Sequence, residues 1–269
     1  MRWSPERYGQ YAGERATPFF DLVAHVPEVA PRRVVDLGCG PGTLTIALAE
    51  RWPEAEVVGL DSSPEMLEQA AALPDAPDNL RFERADITSW QPGNTDDVVI
   101  TNAALQWVPE HRALLRRWFG ALPAGATLAM QVPGSATSAS HGLLRELVAS
   151  DRWRPLLGAL ESDIDASFDG VGDPADYLED ALSAGWRAEA WETTYLHLLS
   201  GADPVLDWVR GTRLRPVLTA LDAVEAAAFE AEYARLLRVA YPAGPHGTPY
   251  PFRRVFLVAT KPDGREAAE

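Results

Sequence analysis

An α/β fold with a mostly parallel sheet is what this sequence predicts, and three observations carry the expectation. Short β-branched runs alternate with helix-period segments from Arg32 onward, the first of these runs leads into a glycine-rich turn, and an isolated strand-like run, RRVFLVAT, returns near the end of the 269 residues. Strand, crossover helix, strand is the order that parallel pairing imposes, because parallel neighbours cannot be joined by a tight hairpin.

In chain order, strands are read at 33–37 (RVVDL), 56–60 (EVVGL), 80–84 (LRFER), 97–101 (DVVIT) and 126–132 (ATLAMQV). Helices are read after Gly42, after Pro64 and after Pro109, each opened by a proline or small residue suited to a first turn. Beyond Pro133 the order loosens into helical patterns at 141–150 and 174–184, a β-rich run at 188–199, two or three helices between 203 and 240, and a last strand at 253–260. The helices and the Gly/Pro-rich loop YPAGPHGTPYP between the two late strands are too long for a hairpin and read as a lid over the ligand edge of the sheet.

A net charge of −15, with no Lys/Arg run and Lys261 the only lysine, excludes the basic footprint of a nucleic-acid binder. The single cysteine, Cys39, leaves no disulfide framework, and no Cys/His cluster has metal-ligand spacing. The first twenty residues are charged throughout and lack an apolar run of signal or membrane-span length. The expectation is a soluble cytoplasmic protein without a metal, a monomer or weak homodimer, with a fraying tail after Thr260.

In a doubly wound sheet ligands sit beyond the carboxyl ends of the strands, and DLGCGPG lies at such an end. Gly38, Gly40 and Gly42 let a ligand approach the backbone, and the helix start after Gly42 offers N–H groups to negative charge. Asp36, just before the first glycine, suits a cationic ligand group. Asp61 closes the second strand where a carboxylate can accept two ribose hydroxyls, and Asp86 with Ile87 follows the third, placed for an amino group and an apolar adenine face. Three successive strand ends thus carry the parts of an adenosine site.

With VVDLGCGPG (34–42), VVGLDSSPEML (57–67), RADI (84–87) and DVVITNAALQWV (97–108), the chain resembles a class I S-adenosylmethionine-dependent methyltransferase. The resemblance implies a Rossmann-like seven-stranded sheet with the last strand antiparallel and a helical lid. It divides the chain into an N-terminal helical cap segment (1–31), a cofactor core (32–135), helices and a sixth strand (136–201), the lid (202–250), and a seventh strand with a polar tail (251–269). By resemblance the glycine turn passes beneath the methionine portion of the donor, Asp61 takes the ribose, Ser62 belongs to the same cofactor site, and Met66 and Ile87 pack near the adenine. Asp86 meets the adenine amino group, while Asn102 and Ala103 line the methyl-donor edge. Tyr8, Tyr11 and Arg15 share one face of a helix, and that face either closes over the cofactor, with Arg15 reaching it and Tyr8 the substrate, or merely docks the helix.

Outside this core, SPERYGQYAGERATP (4–18), NAALQWVPEH (102–111), ETTYLHLLS (192–200), DWVRGTRLRP (207–216) and FRRVFLVA (252–259) are similar to the trans-aconitate methyltransferases. The implied acceptor is a small polycarboxylate, most simply trans-aconitate, esterified on one carboxylate. Holding such an anion calls for forked donors, for which Arg suits better than Lys. Arg215 and Arg254 fall on arginines of these blocks with Arg213 close by, and Tyr195 and Trp208 match aromatic positions; the alternative is that the arginines are solvated and that Trp208, at helical spacing with Leu206 and Val209, is core. Trp107 either shelters the donor sulfonium, with Gln106 at the pocket mouth, or is a core ring. A carboxylate is ionised at pH 7 and needs no general base, so His111 and His197 are expected to be packed or surface residues rather than catalysts. The competing readings are a malonyl-thioester carboxyl methyltransferase, a hydroxyl or amine methyltransferase of specialised metabolism, an NAD-dependent dehydrogenase, and a non-catalytic nucleotide-binding module.

Overall fold

The computed structural model describes residues 16–74, 76–108, 110–134, 138–160, 170–210 and 214–263. Tyr8, Tyr11, Arg15 and Arg213 lie outside the described residues. Within them the elements are α1 (Thr17–Ala24), β1 (Arg33–Leu37), α2 (Thr43–Arg51), β2 (Glu56–Asp61), α3 (Pro64–Ala71), β3 (Leu80–Arg84), β4 (Asp96–Asn102), α4 (His111–Ala121) and β5 (Thr127–Pro133). There follow α5 (Ala139–Val148), α6 (Arg154–Leu157), α7 (Pro174–Ser183), β6 (Arg187–Leu199), α8 (Pro204–Arg210), α9 (Arg215–Ala220), α10 (Ala223–Ala240) and β7 (Thr248–Thr260).

The seven strands form one sheet in the order β3-β2-β1-β4-β5-β7-β6. The first five pair in parallel. Gly125 bonds Lys261 at the start of β5 and Gly134 bonds Arg253 past its end, so β7 runs antiparallel to β5. The sheet is therefore mixed and mostly parallel, as the sequence predicts. Central strands β1, β2, β4 and β5 are buried along almost their whole length, whereas β3, at the sheet edge, is largely exposed. The chain leaves β3 to re-enter on the far side of β1 as β4, which makes the β1/β4 ends the point where the strand order reverses.

The last strand begins at Thr248 rather than Arg253, taking in Pro249 and Pro251. Both prolines occupy the exposed positions of the alternation while Thr248 and Tyr250 are buried, so the Pro-rich run that reads as loop is in fact strand. Among the described residues the stretch between 203 and 240 holds three helices. Its longest, α10, starts on a reciprocal capping box between Asp222 and Glu225.

By compactness the chain divides into two units, one of residues 1–133, 172–192 and 255–269, the other of 134–171 and 193–254. In the first unit Arg51 of α2 donates to the carbonyls of Val23 and Val26 at 2.6 and 3.0 Å, closing the C-terminal end of α1. The second unit has its own apolar core, in which Leu144, Trp153, Leu206, Phe229, Leu237 and Tyr250 are buried together. No described helix is long and apolar enough to cross a membrane.

Candidate functional site

The turn after β1 is the floor of the site. Its Gly38 and Cys39 N–H groups both donate to the carbonyl of Leu60 in β2, at 2.8 and 3.0 Å, which draws the turn across the strand ends. Gly40 and Gly42 both have left-handed φ, +57° and +76°, but need glycine for different reasons. A Cβ on Gly40 would meet nothing within 4 Å, whereas one on Gly42 would lie 2.5 Å from the Phe82 ring and 2.9 Å from the Ala70 Cβ. Gly42 therefore serves the packing of the α2 start, and it does not line the groove that Gly40 lines. Gly42→Ala is expected to cost about 1–3 kcal/mol of stability from overpacking. Gly40→Ala should cost only about 1 kcal/mol from its backbone while disrupting ligand binding. Urea melts beside ligand titrations check the contrast, and equal stability losses would contradict it.

The groove, about 440 Å³ in volume, follows four strand ends. It is lined by Leu37, Gly38 and Gly40 after β1, by Leu60, Asp61, Ser62 and Met66 after β2, by Ala85 to Thr88 after β3, and by Ala103, Ala104, Trp107 and Val108 after β4. Every lining residue belongs to the first unit. The size lies in the range of small-ligand pockets.

Asp61 is pinned on both oxygens, Oδ2 accepting from the Gly40 N–H and Oδ1 from the Ser63 N–H, each at 2.9 Å. Each oxygen keeps a second lone pair, so the carboxylate is oriented yet able to take a pair of hydroxyls. On Asp86, Oδ1 accepts both the N–H and the hydroxyl of Thr88, at 2.8 and 2.7 Å. Those bonds hold its carboxyl below the usual range and leave Oδ2 for an amino group. Met66, one-third exposed at 37 %, and Ile87 supply apolar walls. The fit to the adenosine half of S-adenosylmethionine is good: a diol acceptor, an amino-group acceptor and apolar faces on successive strand ends, over a floor left open at Gly40, where a Cβ would meet no protein atom within 4 Å.

Asp36 is elsewhere. It is buried behind the turn, accepts the Thr45 hydroxyl at 2.7 Å and does not line the groove. Burial pushes its carboxyl up to about 6, the Thr45 bond opposing and the nearby Asp61 charge adding to the shift.

At the β4 end, Ala103 holds a left-handed φ of +53°, a conformation L residues adopt only when their surroundings enforce it. Its N–H donates to the Gln131 carbonyl at 2.9 Å and its carbonyl accepts from Gln106 Nε2 at 2.6 Å. Asn102 is half-buried and not in the groove wall. Trp107 is 63 % exposed on the groove rim, which excludes a core role. His111 is fully buried: Nε2 meets the Tyr177 hydroxyl at 2.7 Å and Nδ1 the Val108 carbonyl at 3.3 Å. The Tyr177 oxygen already accepts the Gly172 N–H, so its proton goes to Nε2 and His111 donates from Nδ1. That histidine anchors the segment carrying Trp107 and Val108, and burial lowers its pKa.

In the second unit, the Arg254 guanidinium lies 4.2 Å from the Phe252 ring centre and is 6 % exposed. Trp208 packs against Phe252 and His197, and half-buried Tyr195 shares the His197 face of β6. Arg215 opens α9 with its side chain exposed. Sequence reasoning passed over Leu37, Leu60, Ala85, Thr88, Ala104 and Val108 in the groove wall and Gln131 beside it. Only Gln131 carried a signal, a polar residue inside the apolar run ATLAMQV. Among the described residues no His/Cys/Asp/Glu cluster of metal-ligating size occurs.

The family described as "Methyltransferase domain" matches residues 34–125. A protein of Streptomyces coelicolor named trans-aconitate 2-methyltransferase is 52 % identical over 97 % of this chain and 88 % of its own. One of the same name from Streptomyces avermitilis is 53 % identical over 96 % of this chain and 97 % of its own. Among solved structures, phosphoethanolamine N-methyltransferase 2 of Haemonchus contortus, bound to phosphomonomethylethanolamine and S-adenosylhomocysteine, shares the fold at 15 % identity. The match has a TM-score of 0.54 and covers 92 % of this chain and 53 % of that one. With half of its residues identical across nearly its whole length, the chain belongs to the trans-aconitate 2-methyltransferase family.

Proposed function

We propose that the protein transfers the methyl group of S-adenosylmethionine to one carboxylate of trans-aconitate, giving the monomethyl ester and S-adenosylhomocysteine. The observation that carries this reading is the identity of about half with trans-aconitate 2-methyltransferases across 96 to 97 % of the chain, far beyond the shared methyltransferase domain. The donor supplies an electrophilic methyl on a cationic sulfur. A carboxylate oxygen forms the new C–O bond as the C–S bond breaks, the pair staying on sulfur, and no proton moves. The protein therefore needs alignment and not a base, a contribution reaching about 7–11 kcal/mol in intramolecular reactions. In this reading Asp61 fixes the ribose, Asp86 and Ile87 the adenine, and Arg254 and Arg215 the acid's remaining carboxylates.

Incubation with S-adenosylmethionine and a panel of di- and tricarboxylic acids, read by mass, tests the reading. The expected result is one added methyl on trans-aconitate. Transfer only to alcohols or amines, or to no acid at all, would overturn it.

Asp36 contributes to the pH dependence of stability. Its folded pKa of about 6 lies above its ordinary 3.8, so its stabilising contribution is full below 3.8 and lost as pH rises through 6. Above that, keeping the buried carboxylate ionised costs roughly 3 kcal/mol. Asp36→Asn retains an acceptor for Thr45 and should raise the urea midpoint at pH 7.5, with no gain at pH 4. The ionised form attracts the cationic donor across the low-dielectric turn. Wild-type affinity for S-adenosylmethionine should therefore rise through pH 6 and that of Asp36→Asn stay flat. Identical calorimetric pH profiles would exclude this role.

A further inference from the structure

Three carboxamides hold all of the buried side-chain amide atoms that lack a hydrogen-bond partner among the described residues: Asn102 Oδ1, Gln106 Oε1, and both Nε2 and Oε1 of Gln131. Gln131 is the extreme case, 1 % exposed with neither end of its amide satisfied. A buried amide in that state is costly unless something arrives to meet it. The orphan amide functions share one corner, with Thr101 Oγ1 next to them on β4, whereas Trp118 Nε1, also unpartnered, lies in α4. Gln131 and Asn102 are register partners at the carboxyl ends of β5 and β4, and Gln106 lies in the turn that follows β4.

The sheet register gives the direction. Asp36 pairs with Ile100 and Ile100 with Ala129. Asn102 and Gln131 lie two residues further along β4 and β5, so they occupy the same sheet face as Asp36, whose carboxylate meets Thr45 of α2. That is the face onto which the glycine turn leads. The groove follows the ends of β3, β2, β1 and β4 and stops there, and β5 is the next strand outward. If the adenosine half lies over β3 and β2, the reactive end of the donor points to β4 and the acceptor falls beside β5.

Resting on the reading of the protein as a carboxylate methyltransferase, we infer that Gln131 is a substrate-binding residue, its Nε2–H donating to a carboxylate oxygen of the acceptor acid. A carboxylate is the strongest neutral-amide partner available, since a charge-assisted bond is about twice as strong as a neutral one. An anionic acceptor with several oxygens satisfies a donor that the protein itself leaves unmet. Gln131 thereby adds to the selection of an acid over an alcohol or amine at the carboxylate it meets, beside the arginines assigned to the remaining ones.

The test uses the full chain and three variants. Gln131→Met keeps the length and removes both polar ends, Gln131→Leu is a second apolar version, and Gln131→Glu replaces the donor by a like charge. Calorimetry with S-adenosylhomocysteine, melting temperature, and KM and kcat for trans-aconitate are measured on each. The expected result is an unchanged or raised melting temperature and unchanged S-adenosylhomocysteine affinity in the Met and Leu variants. Their KM should be raised about tenfold or more, and that of Gln131→Glu higher still. A wild-type KM in Gln131→Met overturns the inference and leaves the methyltransferase reading standing. So does a loss that falls on S-adenosylhomocysteine affinity instead of KM. Unfolding of both apolar variants would make the amide a structural group and overturn it as well. A wild-type protein that binds S-adenosylhomocysteine yet methylates no acid removes the function reading, and this inference with it.

Discussion

Asp61→Ala should lower the affinity for S-adenosylmethionine and S-adenosylhomocysteine by at least about a hundredfold, since two hydrogen bonds to a charged group are lost at about 1.5–3 kcal/mol each. The carboxylate proposed to receive the ribose also has a structural part. Its two oxygens hold the Gly40 and Ser63 N–H groups at 2.9 Å, tying the glycine turn of β1 to the start of α3. Removing it both deletes the diol acceptor and frees the floor of the groove. Asp61→Asn separates these effects, because its Oδ1 still takes one backbone N–H while its amide group cannot accept. Calorimetry should find the Asn variant weakened nearly as much as Ala but with a smaller loss of melting temperature. Unchanged affinity in either variant, or preferential binding of NAD, would remove the adenosine assignment.

The parallel part of this fold is legible because its signals are local. Val/Ile runs, Pro64 as the first residue of α3, and the glycine turn each determine their own neighbourhood, and the strands read from sequence differ from those observed by a residue or so at their ends. The carboxylates at strand ends are legible for the same reason, their position following from the end of a strand. What resisted reading depends on partners distant in sequence. Pro249 and Pro251 belong to β7 because Tyr250 between them is buried among Leu237, Phe229 and their neighbours. Asp36 and Asp61 look alike as acids beside the same turn, yet one is sealed under Thr45 and the other faces the groove. Trp107 could be core or rim from its sequence context, and only its surroundings place it at 63 % exposure. Gly42, grouped by motif with Gly40, answers to the Phe82 ring of β3.

Arg254→Ala should raise the KM for trans-aconitate about thirtyfold or more while leaving S-adenosylhomocysteine affinity intact, a buried charge pair being worth about 2–5 kcal/mol when one partner is removed. Arg254 is 6 % exposed in β7 with its guanidinium against Phe252, so its fork is held by packing before any ligand arrives and little side-chain entropy remains to be lost. Lysine at this position keeps the charge but loses both the fork and the planar stacking, and should recover only part of the KM. Because truncation also removes packing on Phe252, the melting temperature must be followed, and Arg215 supplies the control. Its exposed side chain at the head of α9 can be cut to Ala at little cost in stability. A KM effect there can then be assigned to the acid itself. If both variants methylate trans-aconitate with wild-type KM, the carboxylates are held by neither arginine. An effect in Arg254→Ala alone would mean that the packed cation binds the acid and that the exposed one remains solvated.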